Sequence, residues 1–417
     1  MNYDIIVIGA GTSAGFLLTF LAEQETTRKL KILVLEKTKE PFRRIYGSGN
    51  GRCNFSNIDI TDSSYYSISG SDTWKKNAFE SASKLDLKQF FFNNGIPSYN
   101  DEFGRLMPYT NSAKTIVSFF ERHLKSVAVE FNNYSKAVEI LKNDNGFTVT
   151  YIHKKELISA QTHIVVYACG GSAYPQMGTD GLGFEILRKL GHTIIKQVAG
   201  IVPLETKETA FHVLAGLKIE CKITIGSYSR KGELLFTKYG VSGPNVLYAS
   251  NIVSLGLLKD PVKIVVDLLP EESFTLEYFR LIYSNAKEKT VIATFGGVLR
   301  SEFIKAFILQ NSLKNSLSFN EVEKVYNKLK KLELTVNKTR PLKEAQVSLG
   351  GISVDEINPV SFESRLHKNL FIMGEAIDYT GGCGGYNIHW CAATARGVAD
   401  AVATELDAAF TYRAKTP

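Results

Sequence analysis

Cysteine is scarce in this chain, and long apolar runs are missing. The 417 residues hold five Cys, at 53, 169, 221, 383 and 391, with no CxxC pair and no zinc-type cluster. An odd, scattered set excludes a disulfide framework and fits a reduced protein. No stretch approaches the roughly 18–20 uninterrupted apolar residues that a membrane helix needs. The opening MNYDIIVIGAGTSAG places Asp4 ahead of its apolar run, without a basic leader or a separate cleavage site, so a cytoplasmic protein is expected. HExxH, P-loop and EF-hand patterns are absent, which sets metal catalysis aside. There is no internal repeat and no low-complexity segment.

Charge is nearly balanced. Lys and Arg number 49 against 42 Asp and Glu, for a net +7, and the content of 44% hydrophobic and 22% charged residues is ordinary for a globular chain. Residues 300–343 alone hold ten Lys or Arg against four Glu. Such a Lys-rich helical face is usually solvated surface.

The length admits two to three domains at about 150 residues each. Residues 3–8 (YDIIVI) are a short apolar run ending in glycine, as in a strand buried on both faces of a parallel sheet. A helix over 13–23 and a second strand over 31–36 complete a βαβ unit. Amphipathic helices are expected near 74–93 and 112–125. Alternating segments at 127–131, 136–141, 146–152 and 157–163 suggest an antiparallel meander, and HIVVYA at 163–168 a further strand. From about 191 the texture changes: short strands and turns to about 270, then Lys-rich helix from about 271 to 345. Strand NLFIM (369–373) and a helix over about 388–408 restore the first style. The expectation is an α/β fold: a Rossmann-like nucleotide-binding domain split between 1–190 and 346–417, around an inserted domain at 191–345.

Three glycine-rich blocks carry the chemistry. In the first, Gly9 permits a tight turn, Gly11 lets backbone approach a pyrophosphate, and Ala14 or Gly15 allows close helix packing. The helix N-terminus at Thr12 and Ser13 offers N–H groups to phosphate. Glu36, ending the second strand beside Lys37, suits ribose hydroxyls. This fingerprint alone leaves FAD and NAD open. In the second block, Tyr46 to Asn57, the run Ser48-Gly49-Asn50-Gly51-Arg52-Cys53 gathers backbone amides around a fixed cation. In the third, Gly374-Glu375-Ala376-Ile377-Asp378 precedes Thr380-Gly381-Gly382-Cys383-Gly384-Gly385-Tyr386-Asn387-Ile388 and the last helix. Asp378 suits a sugar or ribityl hydroxyl, the glycines admit a flat ring, and the helix start directs positive potential at it. Val138, Cys169 and Gly170 are further expected cofactor contacts.

These blocks, together with GELLFTKYGVSGPNVL (232–247) and LGGISVDEINPVSFESRL (349–366), occur in this order. The chain thereby resembles the BaiN/YhiN-like family of NAD(P)/FAD-dependent oxidoreductases, which includes aminoacetone-oxidase-like flavoproteins of mostly undefined activity. The resemblance covers nearly the whole chain. It implies FAD as the cofactor and a glutathione-reductase-type flavoprotein fold with an inserted domain. One branch of that family is described as reducing carbon–carbon double bonds in 3-oxo bile-acid intermediates. Two positions depart from the family pattern: Ala14 stands where Gly is usual, and Cys169 where Thr is usual.

With FAD the chain needs a proton donor, an oxyanion partner and a shaped pocket. Arg52 and Tyr386 are candidates to hold a carbonyl, and Tyr239 of the insertion to face the same cleft. His389 is a candidate acid, although a lone His at a helix start more often bonds structurally. Cys53 reads as packing rather than as a reactive thiol, so a dithiol reductase is not expected. No second strand–GxGxxG–helix unit occurs in 191–345, so NAD(P)H would use the substrate cleft in turn as a transient donor. The expected activity is NAD(P)H-linked reduction of an activated double bond in an enone-type substrate, with hydride passing from flavin N5 to the β-carbon. The expected partner is a small molecule, with no membrane and no nucleic acid. The alternatives are a flavoprotein acting on or binding RNA, suggested by the basic excess, and a non-catalytic FAD redox sensor.

Overall fold

A computed structural model describes residues 2–27, 29–124, 128–257 and 259–415, with side chains described as far as Glu405. It divides into two compact units, residues 1–198 with 347–417, and residues 199–346. The sequence placed these divisions at 190/191 and 345/346.

The first unit is built on parallel strands. Asn2–Ile8 lies between Ile32–Leu35 and Glu156–Tyr167, and pairs with both in parallel. Ile5, Ile6 and Val7 are fully buried, as a strand covered on both faces requires. Leu370–Ile372 adds in parallel to the far edge of Glu156–Tyr167. The segment at 127–131 does not join the meander: Val129–Asn132 runs parallel beside Ile32–Leu35, while Val127 lies outside the described residues. The meander is Ser135–Asn143, Gly146–His153 and the first half of Glu156–Tyr167. The two strands expected at 157–163 and 163–168 are therefore one. Its polar half alternates over the meander, and its apolar half enters the core.

Helix Thr12–Glu23 is buried almost throughout. The close approach belongs to Gly15, where a Cβ would lie 2.7 Å from the Phe120 ring of helix Ala113–Leu124. Its tight contact is thus with a helix rather than the sheet. Around it Phe16, Phe20, Phe90, Phe91, Phe119 and Phe120 meet edge to face or tilted. A fully buried Phe contributes about 1.5–3 kcal/mol, so this cluster is a main anchor of the unit. The helix expected over 74–93 is two, Asp72–Ser83 and Leu87–Asn93, because the Asp86 side chain caps a new start. The final helix runs Tyr386–Lys415.

The second unit is a closed barrel of six strands with helices around it. Leu332–Thr339 is a strand, where helix was expected to 345; LELTVNKT alternates buried and exposed positions with period two. Conversely, Pro244–Gly256 is a helix within the expected β-rich part. Gly243, at φ +93°, supplies the turn and Pro244 the first helical position. No helix among the described residues is long and apolar enough to cross a membrane.

Candidate functional site

The first glycine turn opens a cleft of about 1100 Å³, counting its mouth, in the first unit. Gly9 stands at φ +97°, its amide given to the Leu35 carbonyl at 2.8 Å. A Cβ there would sit 2.7 Å from the Ala168 oxygen, whereas Gly11 has nothing nearer than 3.9 Å. Gly9 is held by sterics, and Gly11 keeps space open. The helix that Gly11 caps has no side-chain cap and no acid in its first turn, so its leading amides remain for an anion. Glu36 accepts from the Ala10 amide at 2.9 Å and the Thr38 amide at 2.7 Å, one on each oxygen. Each oxygen keeps capacity for a hydroxyl. This donor and acceptor set fits a dinucleotide.

The wall brings together nine of the expected cofactor residues: Gly9, Gly11, Thr12, Ser13, Glu36, Lys37, Cys169, Gly170 and Glu375. Lys37 pairs with Asp180 at 2.7 Å. Glu375 meets Arg44 at 3.0 Å, and its other oxygen accepts from the Ser348 amide at 2.8 Å. Arg44 also donates to Thr179 Oγ1 at 2.7 Å and the Ala173 carbonyl at 3.2 Å. Ser348 Oγ continues the chain to the Ser172 amide and Gln197. Sequence reasoning passed over Arg44, Thr179 and Asp180; the one available signal was the paired Arg43-Arg44 just before the second glycine block. Burial pushes the thiols of Cys169 and Cys391 up, to about 12 and about 11. Ala14 is buried behind the turn. Val138 sits at a bulge in its strand, next to Ala137, which lines the cleft.

The remaining residues gather where the second and third blocks meet. Ser48–Gly51 forms a tight turn with Gly49 and Asn50 both at φ 55°, and Gly51 at φ 82°. Arg52 Nε donates to the Gly49 carbonyl at 3.1 Å, and its two terminal nitrogens have no partner among the described residues. Cys53 is fully buried, and burial pushes its thiol up to about 12. Asn57 Nδ2 donates to the Gly384 carbonyl at 3.0 Å, stapling the two blocks together. Gly385, at φ +99°, lies against the Ser56 backbone, where a Cβ has no room. Asn387 holds the third block closed through the Gly381 amide at 2.9 Å and carbonyl at 2.8 Å. Tyr386 donates its hydroxyl to the Asp59 carbonyl at 3.2 Å, while Ile388 packs on the core.

Two expected residues are fully engaged by the protein. Asp378 accepts from the amides of Ser69 at 2.6 Å, Ile68 at 3.0 Å and Gly350 at 3.1 Å. Burial raises its carboxyl and these bonds oppose the rise. His389 is buried, with Nε2 2.9 Å from the Ala82 carbonyl and Nδ1 2.8 Å from Ser56 Oγ. Burial lowers its pKa. A neutral ring donating from Nε2 and accepting at Nδ1 satisfies both bonds. Gly374, at φ +63°, lies against Ser13, and its carbonyl accepts from Trp390 at 3.1 Å. Tyr239 belongs to the second unit, where the Arg340 guanidinium lies 4.3 Å from its ring.

Comparison with known proteins agrees with this geometry. The HI0933-like protein Rossmann domain matches residues 3–401. The chain belongs to this family. It is an FAD-dependent oxidoreductase with a Rossmann-type nucleotide-binding fold. It is similar to the ribosomal RNA dihydrouridine synthase of Escherichia coli, 30% identical over 93% of this chain and 95% of that one. It is also similar to the 3-dehydro-bile acid delta(4,6)-reductase of Clostridium scindens, 27% identical over 93% and 96%. Among solved structures, 3-ketosteroid delta1-dehydrogenase from Sterolibacterium denitrificans shares the fold, with a TM-score of 0.50 at 11% identity over 97% of this chain and 100% of that one.

Proposed function

We propose that this family member reduces a carbon–carbon double bond conjugated to a carbonyl, with NAD(P)H as electron source, and that the bond is C5=C6 of uracil in an RNA. Arg52 carries the reading. Its Nε is pinned to the Gly49 carbonyl and its terminal nitrogens are unclaimed, in a loop stapled by Asn57 to the third glycine block. A conjugated alkene takes up hydride at its β-carbon only as negative charge develops on the carbonyl oxygen. A fixed donor at that oxygen is worth about 2.7–4 kcal/mol. When bound, FAD would supply the hydride, and water would supply the proton taken up at the α-carbon. Arg52 holds the carbonyl, Tyr386, with its hydroxyl given to the Asp59 carbonyl, braces the third block, and His389, with both ring nitrogens occupied, keeps Ser56 and the Asn57 staple in place.

The relatives' names support one reaction type with two substrates, a bile acid and ribosomal RNA. Uracil has the required bond, conjugated to its C4 carbonyl. Charge favours RNA for this chain: residues 199–346 hold 21 Lys or Arg against 15 Asp or Glu, nearly the whole excess. Ribosomal RNA from a strain lacking the gene, digested and read by mass spectrometry, is expected to lose dihydrouridine at one or more positions. Purified holoenzyme with NADPH is expected to restore it. Unchanged dihydrouridine in that strain, together with turnover of a conjugated steroid enone by the enzyme, overturns the RNA assignment and leaves the reaction type.

A further inference from the structure

We infer that the barrel face around Tyr239 in the second unit is an RNA-backbone docking surface, formed with Lys207, Lys238 and Lys338. Three strands bring these residues together. Glu205 stands opposite both Gly240 and Lys338. The Thr206 amide donates to the Tyr239 carbonyl at 3.1 Å, and the Lys207 amide to the Thr335 carbonyl at 3.0 Å. Lys207 follows the end of its strand, Lys238 lies in the turn beside Tyr239, and Lys338 stands on the neighbouring strand opposite Glu205. All three are exposed, and none has a side-chain partner among the described residues.

The centre of this surface is rigid. Arg340 lies over the Tyr239 ring and is held by Glu205 at 2.8 Å and by Glu344 at 2.7 and 3.0 Å. Three charge-assisted bonds to two carboxylates fix the guanidinium plane. The ring keeps its place, and its hydroxyl has no partner among the described residues. Elsewhere on the barrel Lys218, Lys231 and Lys263 are each matched by a glutamate, at 3.0, 2.6 and 2.8 Å, and exposed Lys222 is the further strand lysine without an ion pair among the described residues. Ammonium groups without counter-ions beside a fixed aromatic ring suit a phosphodiester chain with an unstacked base. A solvated face has no need of the locked Arg340–Tyr239 pair. The partner follows from the RNA substrate proposed above, so this inference rests on that reading.

The test is binding of an unmodified, in vitro transcribed ribosomal RNA to the full-length holoenzyme across a salt series. A triple variant, Lys207→Ala with Lys238→Ala and Lys338→Ala, is compared with a control triple, Lys287→Ala with Lys305→Ala and Lys314→Ala. At about 0.7 per phosphate contact on single strands, the first triple is expected to flatten the slope of log affinity against log salt by about 2. Its affinity near physiological salt is expected to fall roughly 10–100-fold, with flavin content and melting temperature as in wild type. The control triple is expected to keep the wild-type slope. A first triple that binds like wild type, or a control that loses as much, overturns the surface. If the wild-type protein makes dihydrouridine and the first triple still binds normally, the surface alone fails. If binding depends on the three lysines but the gene deletion leaves dihydrouridine intact, the reaction assignment alone fails.

Discussion

Arg44 and Glu375, from opposite ends of the sequence, form an ion pair 3.0 Å long in the wall of the dinucleotide cleft. Both side chains are mostly withdrawn from water, at 21% and 13% exposure. The guanidinium also binds Thr179 and the Ala173 carbonyl, so it orders two stretches of wall at once. Arg44→Ala leaves the Glu375 carboxylate in the cleft wall without its cation. FAD affinity is expected to fall about 10–100-fold, equivalent to about 1.4–2.8 kcal/mol. Lys at this position restores only part, since a point charge cannot reproduce the fork. Titration of apoprotein with FAD by fluorescence quenching checks this, and an unchanged dissociation constant for Arg44→Ala removes the pair from cofactor binding.

Gly9 and Gly11 separate folding from binding. Gly9→Ala forces a Cβ to 2.7 Å from the Ala168 oxygen at φ +97°, where the backbone strain alone costs about 1–3 kcal/mol. A lower melting temperature is expected even without cofactor. Gly11→Ala meets no atom nearer than 3.9 Å, so the apoprotein should melt as wild type. Its methyl group enters the space that Gly11 keeps open before the helix start, and FAD retention is expected to drop by an order of magnitude or more. Melting curves of both apoproteins, with flavin-to-protein absorbance ratios, distinguish the two effects. Equal melting losses would contradict the division.

The buried strands, the first glycine turn and Glu36 were legible because each depends on local sequence: an apolar run, a required φ, an acid at a strand end. Arg44 was not, because its partners Thr179, Ala173 and Glu375 are distant in sequence and only the folded sheet brings them near. Asp378 shows the converse. A carboxylate in a glycine-rich block suits a hydroxyl ligand, yet here it serves the amides of Ile68, Ser69 and Gly350. Leu332–Thr339 holds one lysine and alternates by itself, but it follows directly on a Lys-rich helix; barrel closure between its neighbours at Leu204–Thr206 and Val262–Asp267 makes it a strand.

Cys53 and Cys169 should resist thiol reagents in the native holoenzyme. Cys53 is fully buried, and burial pushes both thiols up to about 12, so the thiolate fraction near neutral pH is negligible. Brief treatment with iodoacetamide followed by peptide mass spectrometry is expected to leave both unmodified. Modification is expected only after denaturation. Rapid native alkylation of Cys53 would reopen a redox role for the second glycine block.

His389 and His192 make stability depend on pH in a defined direction. Burial lowers both pKa values in the folded chain, although Ala82 and Glu356 respectively pull the other way. The unfolded chain therefore binds more protons than the folded one once pH drops toward about 6.5, and stability rises with pH through that window. Each group contributes at most about 1.4 kcal/mol per pH unit. The melting temperature is expected to fall between about pH 7.5 and about pH 5, and His389→Gln to flatten that fall because the substitute does not titrate. The same variant should be less stable near neutral pH, having lost the fixed geometry between Ser56 Oγ and the Ala82 carbonyl. A pH profile as steep as wild type would mean that His389 keeps its proton in the fold and that the burial argument for its neutral form is wrong.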